Sequence, residues 1–352
     1  MEYKLNTHDG IDRARKEAED FFATQPYKFM KGFKNVNSNG EYVFNSNNAR
    51  DMYVGNGCEN TRYCQFISMK PVSDCYDYTE WGDTASRVYE SVTVGQGVDN
   101  IRFCWGVWVP GCMNNEYCMY VNSSKDMFGC IGMKKKEYCI LNKQYSKEEF
   151  ESLRERIIKD MTDNPYIDEK GRVFKYGEFF PYDLSLCAYN ESTAAQYFPM
   201  EKEDVLEKGW KWYDGKGGEY TITKRVEDLP SDIEETDDSI LADIIECPDC
   251  KKAYRIVKAE LELLRRFQFP IPRKCPNCRH ADRLSRMSQP YSKRKEICMC
   301  KGERSSNGTY ENKGTHPSHD KNTPCGTEFE TSYAKDGKHI IYCDSCYLSE
   351  VA

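Results

Sequence analysis

The chain has 352 residues, of which 39% are apolar, 13% aromatic and 30% charged, with a mean hydropathy of −0.79. That length supports more than one hydrophobic core, and no apolar run approaches the roughly 18 residues that a membrane-spanning helix requires. The formal charge of −7 conceals a split: residues 247–304 carry 16 Lys and Arg against 6 Asp and Glu, a net of +10, which leaves −17 elsewhere.

The N-terminus, MEYKLNTHDG, lacks the apolar stretch of a secretory signal. Eighteen cysteines without an export signal, some in CxxC pairs that need free thiolates, predict the reducing cytoplasm rather than a disulfide framework. Nine cysteines, from Cys58 to Cys187, lie upstream and read as small buried apolar groups.

In chain order, residues 1–26 hold a helix over 8–24, capped by Asp9, with Ile11, Ala14, Ala18, Phe21 and Phe22 on one face and Pro26 beyond its end. It reads as a lid or a docking helix. Residues 27–145 lose the helical period and break into short Tyr-, Phe-, Cys- and Asn-rich runs such as NTRYCQF, NIRFCWG, NNEYCMY and KKEYCIL. Similar runs recur at a spacing of twenty-odd residues, which predicts a β-solenoid of the parallel β-helix kind with two short strands per turn. An antiparallel sandwich is the alternative. Residues 146–225 begin with a strong helix, SKEEFESLRERIIKDM. Ser146 and Glu149 form its capping box, and the apolar face of Phe150, Leu153, Ile157, Ile158 and Met161 is expected to close the solenoid. The aromatic stretch that follows, with Trp210 and Trp212, reads as packing more readily than as a base-stacking surface. Residues 226–246 carry nine acids and no base and read as an acidic linker.

The last two segments carry the chemistry. In residues 247–290, Cys247-x-x-Cys250 and Cys275-x-x-Cys278 form two knuckles on either side of a longer connecting segment. Two such knuckles supply the four thiolates of a tetrahedral Zn²⁺ site. Ile256, Leu261, Leu264 and Phe267 are expected to pack a short helix on the metal core. Arg265, Arg266, Arg273, Lys274, Arg279, Arg283 and Arg286 are expected outside, as a basic surface for RNA or DNA phosphates. In residues 291–352, Cys325, Cys343 and Cys346 are the firmest ligands of a second Zn²⁺. Cys300 is the preferred fourth, with Cys298, His316 and His319 as rivals. The fold class is therefore mainly β with α: a β-solenoid body with flanking helices, followed by two small zinc modules of zinc-ribbon or treble-clef type.

Cys247, Cys250, Tyr254, Ile256, Glu260, Pro272, Cys275, Pro276, Cys278, Arg279 and Arg283 together resemble the pattern of the probable-zinc-ribbon family. That resemblance extends only from Cys247 to Arg283 and implies a structural zinc site with an interaction role. The C-terminus, IIYCDSCY, resembles short zinc modules that close on YCxxCY. The chain as a whole resembles zinc-ribbon proteins of candidate-phyla bacteria, a likeness that bears on architecture only.

Three function classes compete: a nucleic-acid-binding protein, a zinc-stabilised protein–protein scaffold, and a β-helix enzyme. Phosphate-binding glycine loops, a nucleophile elbow and an HExxH triad are all missing from the sequence, so no enzyme is expected. A pair such as Asp77 and Glu80 is the most that an acid–base reading can offer.

Overall fold

The computed structural model describes residues 3–215, 218, 220–286, 291–316, 320, 322–335 and 337–351. They form two compact units. One comprises Met30–Tyr213 with Pro290–Lys293, the other Met1–Phe29, Asp214–Gln289 and Arg294–Ala352.

The first unit is a β-solenoid of about eight turns. Its generating pattern is a triplet. Ala49, Met52, Gly55, Cys58, Thr61, Cys64 and Ile67 are all buried, one in every three residues. The residue before each, from Asn48, Asp51 and Val54 to Gly57, Asn60, Tyr63 and Phe66, has a positive φ between 48° and 64°. An inward residue, an extended residue and a left-handed residue thus repeat, and the left-handed step turns the chain. Asn, Asp and Gly recur at these corners because they adopt that conformation at least cost. Four triplets make one coil, as the pairing of Tyr53 with Gln65 and of Gly55 with Ile67 records. Later coils are longer than this by one position (Tyr76 to Tyr89) or by two (Arg102 to Glu116) before four triplets return (Phe128 to Ile140). Coil-to-coil pairing is parallel throughout, which rules out the sandwich, and an antiparallel hairpin of Glu137–Ile140 with Lys143–Gln144 ends the stack. The repeat visible in the sequence therefore spans two coils, not one.

Eight of the nine upstream cysteines line this interior, and Cys187 is exposed. They do more than fill it. The thiols of Cys75, Cys104 and Cys118 donate to the carbonyl two residues back at 3.1, 3.1 and 3.2 Å, as the hydroxyls of Ser46, Ser91 and Ser124 do at 2.9, 2.9 and 2.8 Å. The next coil then donates a backbone N–H to the same kind of side chain: Cys104 N–H to Ser91 at 3.1 Å, Cys118 N–H to Cys104 at 3.3 Å, and Asn142 N–H to Cys130 at 3.4 Å. Tight corners leave peptide groups that the strand ladder does not pair, and a small S–H or O–H satisfies both at once.

Helix Lys147–Asp163 starts at the expected capping box, with Ser146 N–H to Glu149 at 2.9 Å and Glu149 N–H to Ser146 at 3.2 Å. Its apolar face meets a column drawn from successive coils, Phe103, Tyr117, Phe128 and Ile140, so it lies along the flank of the stack. Arg154 anchors it there, donating to buried Glu116 at 2.6 and 2.9 Å. Tyr189 and Trp210 stack on each other, their ring centroids 5.4 Å apart.

In the second unit, residues 226–246, expected as a linker, contribute Leu229, Ile233, Ile240 and Ile245 to the core of the first cysteine module. Four buried aliphatics outweigh the cost of ordering an acidic segment, whose charges remain on the outside. The N-terminal helix His8–Phe22 belongs to the same unit. The His8 ring meets the Ile271 carbonyl at 2.7 Å, and the strand Pro26–Lys28 runs parallel to Ile340–Tyr342. Among the described residues no helix is long and apolar enough to cross a membrane.

Candidate metal centres

The first centre is assembled by two short elements. The hairpin of Ile245–Glu246 with Ala253–Tyr254 carries Cys247 and Cys250 in its turn. Cys275 is the N-cap of helix Pro276–Leu284, and its sulfur accepts the Cys278 N–H at 3.4 Å. The Cys275 N–H in turn reaches the Cys247 sulfur at 3.4 Å. All four sulfurs lie within 4.8 Å of one another, with Cys250 and Cys275 at 3.7 Å. A tetrahedral ion with metal–sulfur bonds of about 2.3 Å places its sulfurs about 3.8 Å apart, whereas a disulfide needs about 2.05 Å. The geometry is that of a metal cage. Burial resists ionisation of Cys247, but backbone N–H groups of Cys250, Cys275 and Asp249 outweigh it and hold the thiol at about 6.

Around this centre Ile256 and Leu261 are buried as the sequence suggests and Leu264 is partly so, while Tyr254 and Ile271 join the same core. Phe267 is not: it is 56% exposed. Three positions beyond Leu264 and six beyond Leu261, it has rotated away from the buried stripe of a helix whose turn is longer than three residues.

The second centre lies between the hairpin Arg294–Ile297/Glu328–Thr331 and helix Asp344–Val351. Cys298, Cys300, Cys325 and Cys346 bring their sulfurs within 4.8 Å of one another. Cys300 and Cys346 stand 3.5 Å apart, and Cys343 joins at 3.9 Å from Cys325. The cluster thus contains the four expected cysteines together with Cys298. His316 is turned elsewhere, its Nε2 against Glu350 at 3.1 Å, and His319 lies outside the described residues.

The expected basic surface divides. Arg265 bonds Asp238 at 2.7 Å and the Thr236 carbonyl at 2.8 Å. Lys274 holds Asp249 at 2.8 Å and Asp282 at 3.1 Å, and Arg279 holds Glu260 at 2.7 Å. Arg273 is partly buried, while Arg266, Arg283 and Arg286 are exposed. Sequence reasoning missed Asp238 because it lay in the supposed linker, and it missed Asp249, Asp282 and Glu260 because the module's net charge does not show which bases its own acids hold.

In the solenoid, Asp77 sits with Glu90 and Glu178 in a cleft of about 350 Å³ lined also by Phe174, Phe179 and Phe180. Burial raises the carboxyls of both Asp77 and Glu90. Glu80 accepts from Thr93 at 2.8 Å and is not part of the cleft lining. Comparison with family models, curated proteins and solved structures returns no match.

Proposed function

We propose that the chain is a non-enzymatic binding protein of the reducing cytoplasm. Two structural Zn²⁺ ions shape its second unit, which docks a protein partner beside the first metal centre. The observation that carries this reading is an exposed aromatic pair. Phe267 and Phe269 are 56% and 43% exposed, and their rings stack at 6.2 Å and 22°. Leu263, 52% exposed, stands one turn before Phe267, and the Arg266 guanidinium lies 5.8 Å from the Phe267 ring centre. Aromatic rings with an arginine are the composition of an interface centre. Leaving such rings in water has no structural return for the isolated chain.

Zinc is the ion that fits a closed set of four thiolates at these separations, and such a set leaves no open position for substrate. Kinship of residues 247–283 with the zinc-ribbon family belongs to the same proposal; the pairing of Glu260 with Arg279, two positions of that family's pattern, supports it. The two cysteine clusters, which need thiolates rather than disulfides, support the reducing compartment.

The test is recovery of the full chain with its partners from native cells after nuclease treatment. A Phe267→Ser/Phe269→Ser variant is expected to lose the partner protein while keeping two zinc ions. Retention of the partner by that variant contradicts the reading. Binding to nucleic acid through Arg266, Arg283 and Arg286 is the second reading. It takes first place if the chain is retained on RNA or DNA at low salt and released as salt rises.

A further inference from the structure

We infer that the second centre keeps one thiol in reserve and holds its ion through an exchangeable fourth ligand, Cys300 alternating with Cys343. This rests on the metal-binding reading above and goes beyond it by distinguishing the two centres: the first is fixed, the second labile.

The two modules differ in how many thiols they bring together. Four-coordinate zinc takes four thiolates, and the first module supplies four. The second supplies five. Cys298, Cys300, Cys325 and Cys346 are mutually within 4.8 Å, yet Cys343 is 3.9 Å from the Cys325 sulfur, and its own N–H reaches the Cys298 sulfur at 3.2 Å. Cys343 also stands three positions before Cys346, the knuckle spacing that presents both sulfurs to one ion, and it directly precedes helix Asp344–Val351. It therefore has the position of a fifth ligand beside a set that already numbers four.

Cys300 is the group that gives way. Cys298 and Cys300 are separated by one residue, so release of Cys300 leaves the same strand end attached through Cys298. The outgoing set Cys298, Cys300, Cys325, Cys346 then becomes Cys298, Cys325, Cys343, Cys346. In the exchange a bond forms between the Cys343 sulfur and the ion as the Cys300 bond breaks, and the Cys343 proton passes to the departing Cys300 sulfur. The number of bound thiolates and the charge are unchanged, and nothing is oxidised or reduced. The four thiols of the first centre would hold an ion with no spare sulfur beside them to replace one that lets go. In the second, Cys343 would take the place of Cys300 as that bond breaks, so the ion would change its fourth ligand without losing a sulfur, which eases its handover to an incoming ligand. Cys325 is only partly buried, so an outside thiophilic ligand has access to the cluster. The chemistry is that of a site exchanging Zn²⁺, or a softer divalent ion such as Cd²⁺, with its surroundings.

The experiment uses the full chain loaded with zinc of one isotope and challenged with another, followed by native mass spectrometry. In the wild type two ions are expected, one exchanging markedly faster than the other. Cys300→Ser and Cys343→Ser should each keep two ions while the fast exchange slows by roughly tenfold or more. The double variant should keep one, and Cys275→Ser, which touches only the first centre, should keep the fast-exchanging ion. Loss of the second ion from either single variant, or an exchange rate unchanged in both, overturns the inference in favour of a fixed set. A wild type that holds only one ion instead removes the metal reading of the second centre, and the inference with it.

Discussion

Arg279 on helix Pro276–Leu284 and Glu260 on helix Lys258–Phe267 meet across 2.7 Å, with side chains 29% and 22% exposed. The pair fastens the two helices of the first metal module to each other and withdraws Arg279 from any phosphate. Replacement of Glu260 by Ala strands a part-buried guanidinium and is expected to cost about 1–3 kcal/mol. A lower thermal midpoint for the zinc-loaded unit, with the solenoid transition unmoved, is the readout. Tighter nucleic-acid binding by the variant would show that Glu260 restrains a binding arginine.

Chelation separates the two units. Ligand binding supplies much of the folding free energy of small zinc modules, on the order of 10 kcal/mol per site. The solenoid has its own core and its own ladder of coils. A strong chelator should therefore abolish the helical signal of residues 258–284 and 344–351 while the β signal persists in circular dichroism. Collapse of both together would mean that the solenoid depends on the metal modules.

Glu116 is the test of how the flanking helix is held. It is 5% exposed, and its carboxylate accepts from Arg154 twice and from the Tyr176 hydroxyl at 2.7 Å, with Arg102 at 3.4 Å. Glu116→Gln preserves the shape and removes the charge. The expected loss is about 2–3 kcal/mol, below that of a fully buried pair because Arg154 retains contact with water. Hydrogen exchange should speed up in Lys147–Asp163 before it does in the coils.

Alkali should unfold the solenoid through its own thiols. Burial pushes Cys58 and Cys64 up to about 12, well above the ordinary thiol value. In the unfolded chain these groups lose their protons near 9, so between roughly pH 9 and pH 12 the unfolded state binds fewer protons than the folded one. Stability from this source is full below pH 9 and is lost as pH rises towards 12. Denaturant midpoints taken across that range should fall steadily, and at neutral pH the eight interior cysteines should resist alkylation while Cys187 reacts. A flat profile would mean that the interior thiols titrate as exposed ones do.

The readings that survived from sequence are those in which the partners are close along the chain. Cys247-x-x-Cys250 and Cys275-x-x-Cys278 specify a site because a two-residue spacer folds as a knuckle, and Ser146 with Glu149 specify a helix start for the same local reason. The solenoid was visible as a repeat, but its period was not. The inward place of each triplet accepts Cys, Ser, Thr, Ala, Gly and Met alike, so the signal lies in burial at every third position rather than in apolarity. Tertiary structure alone decided the rest. Asp238, in the segment before Cys247, neutralises Arg265, and Pro26–Lys28 pairs with Ile340–Tyr342 from the far end of the chain. Five cysteines in the last module are equally good metal ligands by chemistry. Only their placement in space gathers Cys298, Cys300, Cys325 and Cys346 into one set with Cys343 beside it, because coordination counts sulfurs by distance and not by their order in the chain.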